Sequence, residues 1–350
     1  MRYEEVLEKA RERMAPNCKV CAVCDGIACG HTMPGPGSKP PGLGANDNYR
    51  AWRKIRLNMD TISEGNAVDT GVEFFGRTLA FPVLSGPVGS IRRQFHPEDD
   101  VSDYNEACLA AAEECNTMHA FGTGLEMRVW HNAIASSLAH GNRGIPVYNP
   151  DTMEQIRAWM DLYKDTEKPC AAALVIDSAG LPHYRSMMSK GGGPKSVEEI
   201  RALKEYCGLP FIIKGVMNAK GARKALEAGA DAVIVSNHGG RVLSDTPATA
   251  EVLPEIADAV KGRMKILVDG GIRSGLDVFK ALALGADACL ICRPVLISFY
   301  GGGKDGVCCY YDKLRAELED TMIMCGAHTI SQISRDMIRI PASFEEESKR

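Results

Sequence analysis

From residue 82 onward, short apolar runs alternate eight times with longer amphipathic stretches. The runs are PVLSGPV (82–88), NTMHAFG (116–122), GIPVYN (144–149), AAALVIDS (171–178), PFIIKGV (210–216), DAVIVSN (231–237), KILVDGG (265–271) and ACLICRP (288–294). Runs this short with little polar alternation read as strands covered on both faces, and parallel strands need a helical crossover between them. Stretches such as DYNEACLAAAEE, SVEEIRALKEY and LDVFKALALG supply it. Eight repeats predict an α/β chain folded as a closed (β/α)8 barrel over residues 81–340, a size usual for one such domain. The rival, an open doubly wound sheet, needs a GxGxxG turn after its first strand to hold a dinucleotide, and SGPVGS lacks that spacing.

Residues 1–80 stand apart as an irregular N-terminal cap. One helix is expected, then four cysteines, then MPGPGSKPPGLGAND, too rich in Gly and Pro for the interior of an element. A long helix is expected from about 304, and FEEESKR makes 341–350 a polar tail. The Gly-rich SKGGGPKS (189–196) follows the fourth strand, at the end where barrel active sites lie, and reads as a mobile lid.

A net charge of -4, with both signs mixed along the chain, leaves no basic footprint for nucleic acid or an anionic membrane. No apolar run is long enough to span a bilayer, and MRYEEVLEKARERMAP lacks a secretory core, so a cytoplasmic location is expected. The thirteen cysteines then read as reduced thiols.

Barrel enzymes gather their chemistry at the C-terminal strand ends. Those ends hold Asp177 and Ser178, Lys214, Ser236 to His238, Asp269 to Gly271, and Arg293. Gly270 and Gly271 beside Arg293 suit an anion such as a substrate phosphate or a flavin mononucleotide tail. In SNHGGR, His238 stands three residues before Arg241. An imidazole moves protons near neutral pH and a guanidinium grips a carboxylate with two parallel bonds, a pairing that suits a hydroxy acid. Asp177 would orient the imidazole.

Cys18, Cys21, Cys24 and Cys29 form CxxCxxC with a fourth thiol beyond. Such spacing can hold zinc or an iron-sulfur cluster, and reduced structural thiols are the other reading.

IIKGV, IVSNHGGR, PAT (247–249), VDGGIRSGLDVFKALALGA and the RP of CRP together resemble the FMN-dependent 2-hydroxy-acid oxidases and dehydrogenases, the glycolate and L-lactate oxidases among them. The resemblance is strong over 210–300 and weak before 80. It implies FMN as cofactor, oxidation of a small (S)-2-hydroxy acid, oxygen or another electron acceptor, and a homo-oligomer. By position it implies His238 as base, Arg241 on the substrate carboxylate and Asp177 paired with the histidine. Lys214 would lie near flavin N1 and O2, with Ser236 touching the flavin and Pro87, Val88 and Gly89 against its ring. Asp269, Gly270, Gly271, Arg273, Cys292 and Arg293 would hold ribityl and phosphate, and Tyr148 falls where the family has a substrate tyrosine.

The chain departs from the pattern at several places. The N-terminal YYxSGA tyrosine is missing, with GLGAND its nearest remnant, and the second substrate arginine is missing, with only Arg185 nearby. Cys292 replaces a glycine, and Pro146 stands where the family's glutamine is expected. Alternative functions are an FMN-dependent isomerase on the same barrel and a non-catalytic flavin or metal sensor.

Overall fold

A computed structural model describes residues 1–344 apart from positions 34, 64, 66, 90, 96, 97, 123–125, 164 and 343, and apart from the side chains of Arg93 and His183. Each of the eight apolar runs contains a strand: β1 (Val83–Ser85), β2 (His119–Gly122), β3 (Gly144–Tyr148), β4 (Ala172–Val175), β5 (Phe211–Val216), β6 (Ala232–Val235), β7 (Lys265–Val268) and β8 (Ala288–Ile291). They pair in sequence order, all parallel, and β8 returns to β1 to close the barrel.

The two-residue period of a strand divides its side chains between two apolar layers. Leu84, Ala120, Ile145, Val147, Ala173, Val175, Ile212, Ile234, Leu267 and Leu290 fill the barrel. Their neighbours Phe121, Tyr148, Leu174, Ile213, Val233, Val235, Ile266, Val268, Cys289 and Ile291 face outward and pack in the larger core that includes the helices. Local signals fix the helix ends. Val197–Cys207 begins at Ser196, whose side chain accepts from the Glu199 N–H while Glu199 reaches back, and ends at left-handed Gly208. The C-terminal helix starts earlier than expected, as Arg293–Cys325, and is broken by non-helical Gly302 and Gly303 near the expected start.

The cap is more ordered than its composition suggests. Tyr3–Met14 is the expected helix; it lies along the C-terminal helix, with Tyr3 stacked on Tyr310 at 5.3 Å. A second helix, Gly44–Lys54, was not expected. A hairpin of Val72–Phe74 and Arg77–Leu79 sends Phe74 and Leu79 into the interior layer and plugs the barrel floor. Arg56–Leu57 pairs antiparallel with Ile338–Arg339, joining the cap to the C-terminal segment. The expected polar tail at 341–350 lies outside the described residues except for Pro341, Ala342 and Phe344. The loop expected as a lid is tethered where Gly193 N–H donates to Pro150 O at 2.8 Å. Among the described residues no helix is long and apolar enough to cross a membrane.

Candidate active site

A cavity opens at the C-terminal ends of the strands, with 1310 Å³ of empty space counting its mouth. Pro87, Val88 and Gly89 line it after β1, Lys214 on β5, His238 and Arg241 after β6, Asp269, Gly270, Gly271 and Arg273 after β7, and Cys292 and Arg293 after β8.

His238 adopts a left-handed φ of 56° in the turn after β6, and its backbone N–H donates to Ser236 Oγ at 3.1 Å. That turn brings Nδ1 to 3.1 Å from Asp177 Oδ1. Burial alone would raise the Asp177 carboxyl, but the His238 and Lys214 charges outweigh it and hold the group below its ordinary value. An ionised carboxylate only accepts, so Nδ1 is the donor of this bond and Nε2 is the nitrogen left for proton exchange. On β5, buried Lys214 donates to Ser236 Oγ at 2.6 Å and pairs with Asp269 Oδ2 at 3.0 Å. Burial works against its charge, yet Asp269 and Asp177 raise it above the usual lysine value, so it stays an ammonium.

Three guanidiniums share this cavity, and among the described residues none has a carboxylate partner. Asp269 and Asp177 are taken by Lys214 and His238. Arg241 donates to Gly35 O and Gly37 O at 2.7 Å and to Gln94 Oε1 at 2.8 Å. Arg273 donates to Cys24 O and Ile272 O, and Arg293 to Gly239 O. Burial, then the nearby Arg293, lowers Arg241 to about 9, and burial, then Arg273, lowers Arg293. Cations crowded with only neutral acceptors make a site for anions. The buried atoms Arg273 Nη2 and Asp269 Oδ1 have no hydrogen-bond partner, a donor fit for phosphate and an acceptor fit for a polyol hydroxyl.

The glycine pair after β7 has a second reason to be glycine. Gly270 and Gly271 have φ of 89° and 80°, and a Cβ on either would run into Asn48 of the Gly44–Lys54 helix. Cys292 fills space that glycine leaves, since a Cβ at Gly86 would lie 2.5 Å from its Sγ. Burial raises this thiol to about 11, so it stays neutral.

Tyr148 requires a correction. It is 2% exposed, and its ring lies 5.3 Å from that of Trp130 in the outer core, away from the cavity. Strand alternation turns Val147 inward, and beyond the strand Asn149 joins it in the cavity lining while Pro146 does not. Asn149 Oδ1 accepts from Ser178 Oγ at 3.0 Å, and Ser178 lines the cavity too. Arg185 is exposed and outside the lining, where Tyr184 appears instead. Sequence reading also missed Gln94, the side-chain partner of Arg241, and Asn48. The Asn48 and Asn237 amides bond each other at 2.7 and 3.1 Å, and Thr249 N–H donates to Asn48 Oδ1. The GLGAND remnant stops one residue short of Asn48. Cys18, Cys21, Cys24 and Cys29 are all unpaired thiols, and among the described residues no three metal-binding side chains stand at coordinating separation.

A histidine–carboxylate dyad facing a triplet of unpaired arginines at the mouth of a barrel defines a proton-handling enzyme with an anionic cofactor and an anionic substrate. The comparisons agree with that class. The family model described as FMN-dependent dehydrogenase matches residues 37–191 and 150–340. A peroxisomal (S)-2-hydroxyacid oxidase of Arabidopsis thaliana is 32% identical over 329 residues, covering 84% of this chain and 87% of that protein. A 2-hydroxyacid oxidase of Dictyostelium discoideum is 32% identical, covering 83% and 81%. The solved structure of mandelate oxidase with benzoyl-formic acid superposes with a TM-score of 0.76 at 26% identity, covering 97% of each chain. The chain belongs to the FMN-dependent dehydrogenase family and carries out FMN-dependent oxidation of 2-hydroxy acids. Nothing favours the isomerase or sensor reading.

Proposed function

We propose that His238 is the base, Arg241 the carboxylate clamp and a small (S)-2-hydroxy acid of the L-lactate or glycolate kind the substrate. The observation that carries this reading is the lining of one cavity by the dyad histidine and an arginine lacking a counter-charge. FMN, when bound, supplies the two-electron acceptor. Arg273 and Arg293 would hold its phosphate, Asp269, Gly270 and Gly271 its polyol chain, Pro87 to Gly89 its ring, with Cys292 as neutral filler. Lys214, fixed by Ser236 and Asp269, would place a permanent cation beside the ring system.

Arg241 would hold the substrate carboxylate while His238 Nε2 takes the proton from the α-carbon or hydroxyl, and Asp177 stabilises the resulting imidazolium. Asn149 and Ser178 would face the substrate side chain in place of the tyrosine expected on β3. Oxygen or another acceptor would take up the two electrons. Thirteen thiols free of disulfides support a reducing compartment such as the cytoplasm, although the Arabidopsis relative is named peroxisomal. A homo-oligomer is supported by the family resemblance alone.

The test is anaerobic titration of the FMN-loaded protein with L-lactate, glycolate and longer 2-hydroxy acids. Bleaching of the flavin band by a small acid, abolished in His238→Ala, is expected. A flavin that no hydroxy acid bleaches would overturn the reading.

A further inference from the structure

Among the described residues that line the cavity, Asp269 Oδ1, Arg273 Nη2 and Tyr184 Oη are buried polar atoms without a hydrogen-bond partner. The first two belong to the end that suits FMN. Tyr184 stands elsewhere, on the loop after β4. It is 3% exposed, so its hydroxyl has no bulk water to fall back on. Buried tyrosine hydroxyls usually find a partner, because an unpaired one gives up its bonds to water for nothing. In a cavity wall, the group that can meet such an orphan is a bound ligand.

The backbone, and not the hydroxyl, places this ring. Asp177–Gly180 form a 3-10 turn and Pro182–Arg185 a single helical turn that opens on a proline, whose fixed φ suits that position. Leu181 N–H donates to Ser178 O, and the N–H groups of Met187 and Met188 both donate to Tyr184 O at 2.9 Å. Gly180 lies against the loop after β6, where a Cβ on it would come 2.9 Å from Val242 O. Lys39 Nζ donates to Gly180 O and Val242 O and ties the two loops together.

The wall that Tyr184 shares also holds Val147, Asn149, Ser178 and Leu181, and among the described lining residues after β3 and β4 none is charged. Ser178 Oγ donates to Asn149 Oδ1 at 3.0 Å. Burial pushes the Tyr184 phenol up, so it stays neutral and can donate as well as accept. Arg241 is anchored on the other side, to Gly35 O, Gly37 O and Gln94 Oε1. An acid with its carboxylate at Arg241 and its C2 at His238 has its side chain left for this wall. Apolar flanks with neutral hydroxyls and an amide suit a short chain that ends in an uncharged oxygen.

We propose that Tyr184 determines specificity: its hydroxyl bonds a terminal hydroxyl on the substrate's side chain, so that hydroxylated 2-hydroxy acids are preferred to their alkyl counterparts. This rests on the placing of Arg241 and His238 given under the proposed function.

The test is anaerobic flavin reduction and steady-state turnover of the FMN-loaded protein with matched pairs, L-lactate beside L-glycerate and (S)-2-hydroxybutanoate beside (S)-2,4-dihydroxybutanoate. In at least one pair the hydroxylated acid should have kcat/KM higher by about 10-fold or more, the worth of a bond that leaves a buried group unpaired when it is missing. Tyr184→Phe should erase that preference and leave the alkyl acid within about twofold. The variant sheds an unpaired hydroxyl, so its denaturant midpoint should equal or exceed that of the native protein. Equal efficiency within both pairs, a variant that loses both members of a pair alike, or a lowered midpoint that reveals a structural partner overturns the specificity alone. A flavin that no acid of the panel reduces overturns the reading beneath it as well.

Discussion

Single side chains divide here into those that meet the cavity and those that only stand near it in sequence. Tyr148 and Asn149 are adjacent, yet Tyr148 packs in the outer core and Asn149 lines the cavity. Tyr148→Phe should therefore leave steady-state kcat and KM for the hydroxy acid unchanged, whereas Asn149→Ala should shift KM. Arg241→Lys replaces a planar fork with a point charge and should raise KM by about 10–100-fold, the worth of a charged hydrogen bond. Asp177→Asn keeps a polar neighbour for Nδ1 but removes the charge that favours the imidazolium. It should lower the rate of flavin reduction by roughly 10²-fold or more with FMN still bound, measured by anaerobic stopped flow. The family motif made His238, Arg241 and Lys214 legible from sequence. Tyr148 was misjudged because a strand's faces alternate with period two, so a one-residue error in register reverses inside and outside.

Among the elements, the eight barrel strands were legible because each is a compact apolar run between helical stretches, and the pattern of β5 to β8 is nearly unbroken. Gly44–Lys54 was not, since GANDNYRAWRK has no side-chain N-cap and its buried face is made largely of Gly44, Ala45, Asn46, Asn48 and Ala51, with Trp52 its one large apolar residue. It is a helix because of where it docks. Its Gly44 Cα would sit 2.7 Å from a Cβ on Gly240, Trp52 Nε1 donates to Gly270 O at 2.8 Å, and Asn48 is locked to Asn237. Asn48→Ala would strand the buried Thr249 N–H and take one partner from each end of the Asn237 amide, which keeps Gly240 N–H, Thr246 Oγ1 and Pro247 O. A loss of about 1–3 kcal/mol in denaturant titration is expected, along with weaker FMN binding, because this helix backs the glycine turn after β7.

Over the whole molecule, one buried group ties stability to pH. His119 on β2 is fully enclosed, with Nδ1 at 2.7 Å from Ser85 Oγ and Nε2 at 3.1 Å from Asn105 Oδ1. Burial lowers its pKa from 6.5 to about 3. The unfolded chain thus takes up a proton below pH 6.5 that the folded chain refuses until about pH 3. The contribution is complete above pH 6.5 and is lost as pH falls toward 3. His119→Gln should flatten that acid limb in urea unfolding curves measured across the window, whatever its effect at neutral pH. The three guanidiniums bonded only to neutral acceptors reach further. Their mutual repulsion acts on the folded chain in every moment that no ligand neutralises it. The cofactor is then a counter-ion as well as an oxidant, and binding it shifts the folding equilibrium by mass action. How much of this protein a cell retains would follow how much flavin mononucleotide that cell can supply.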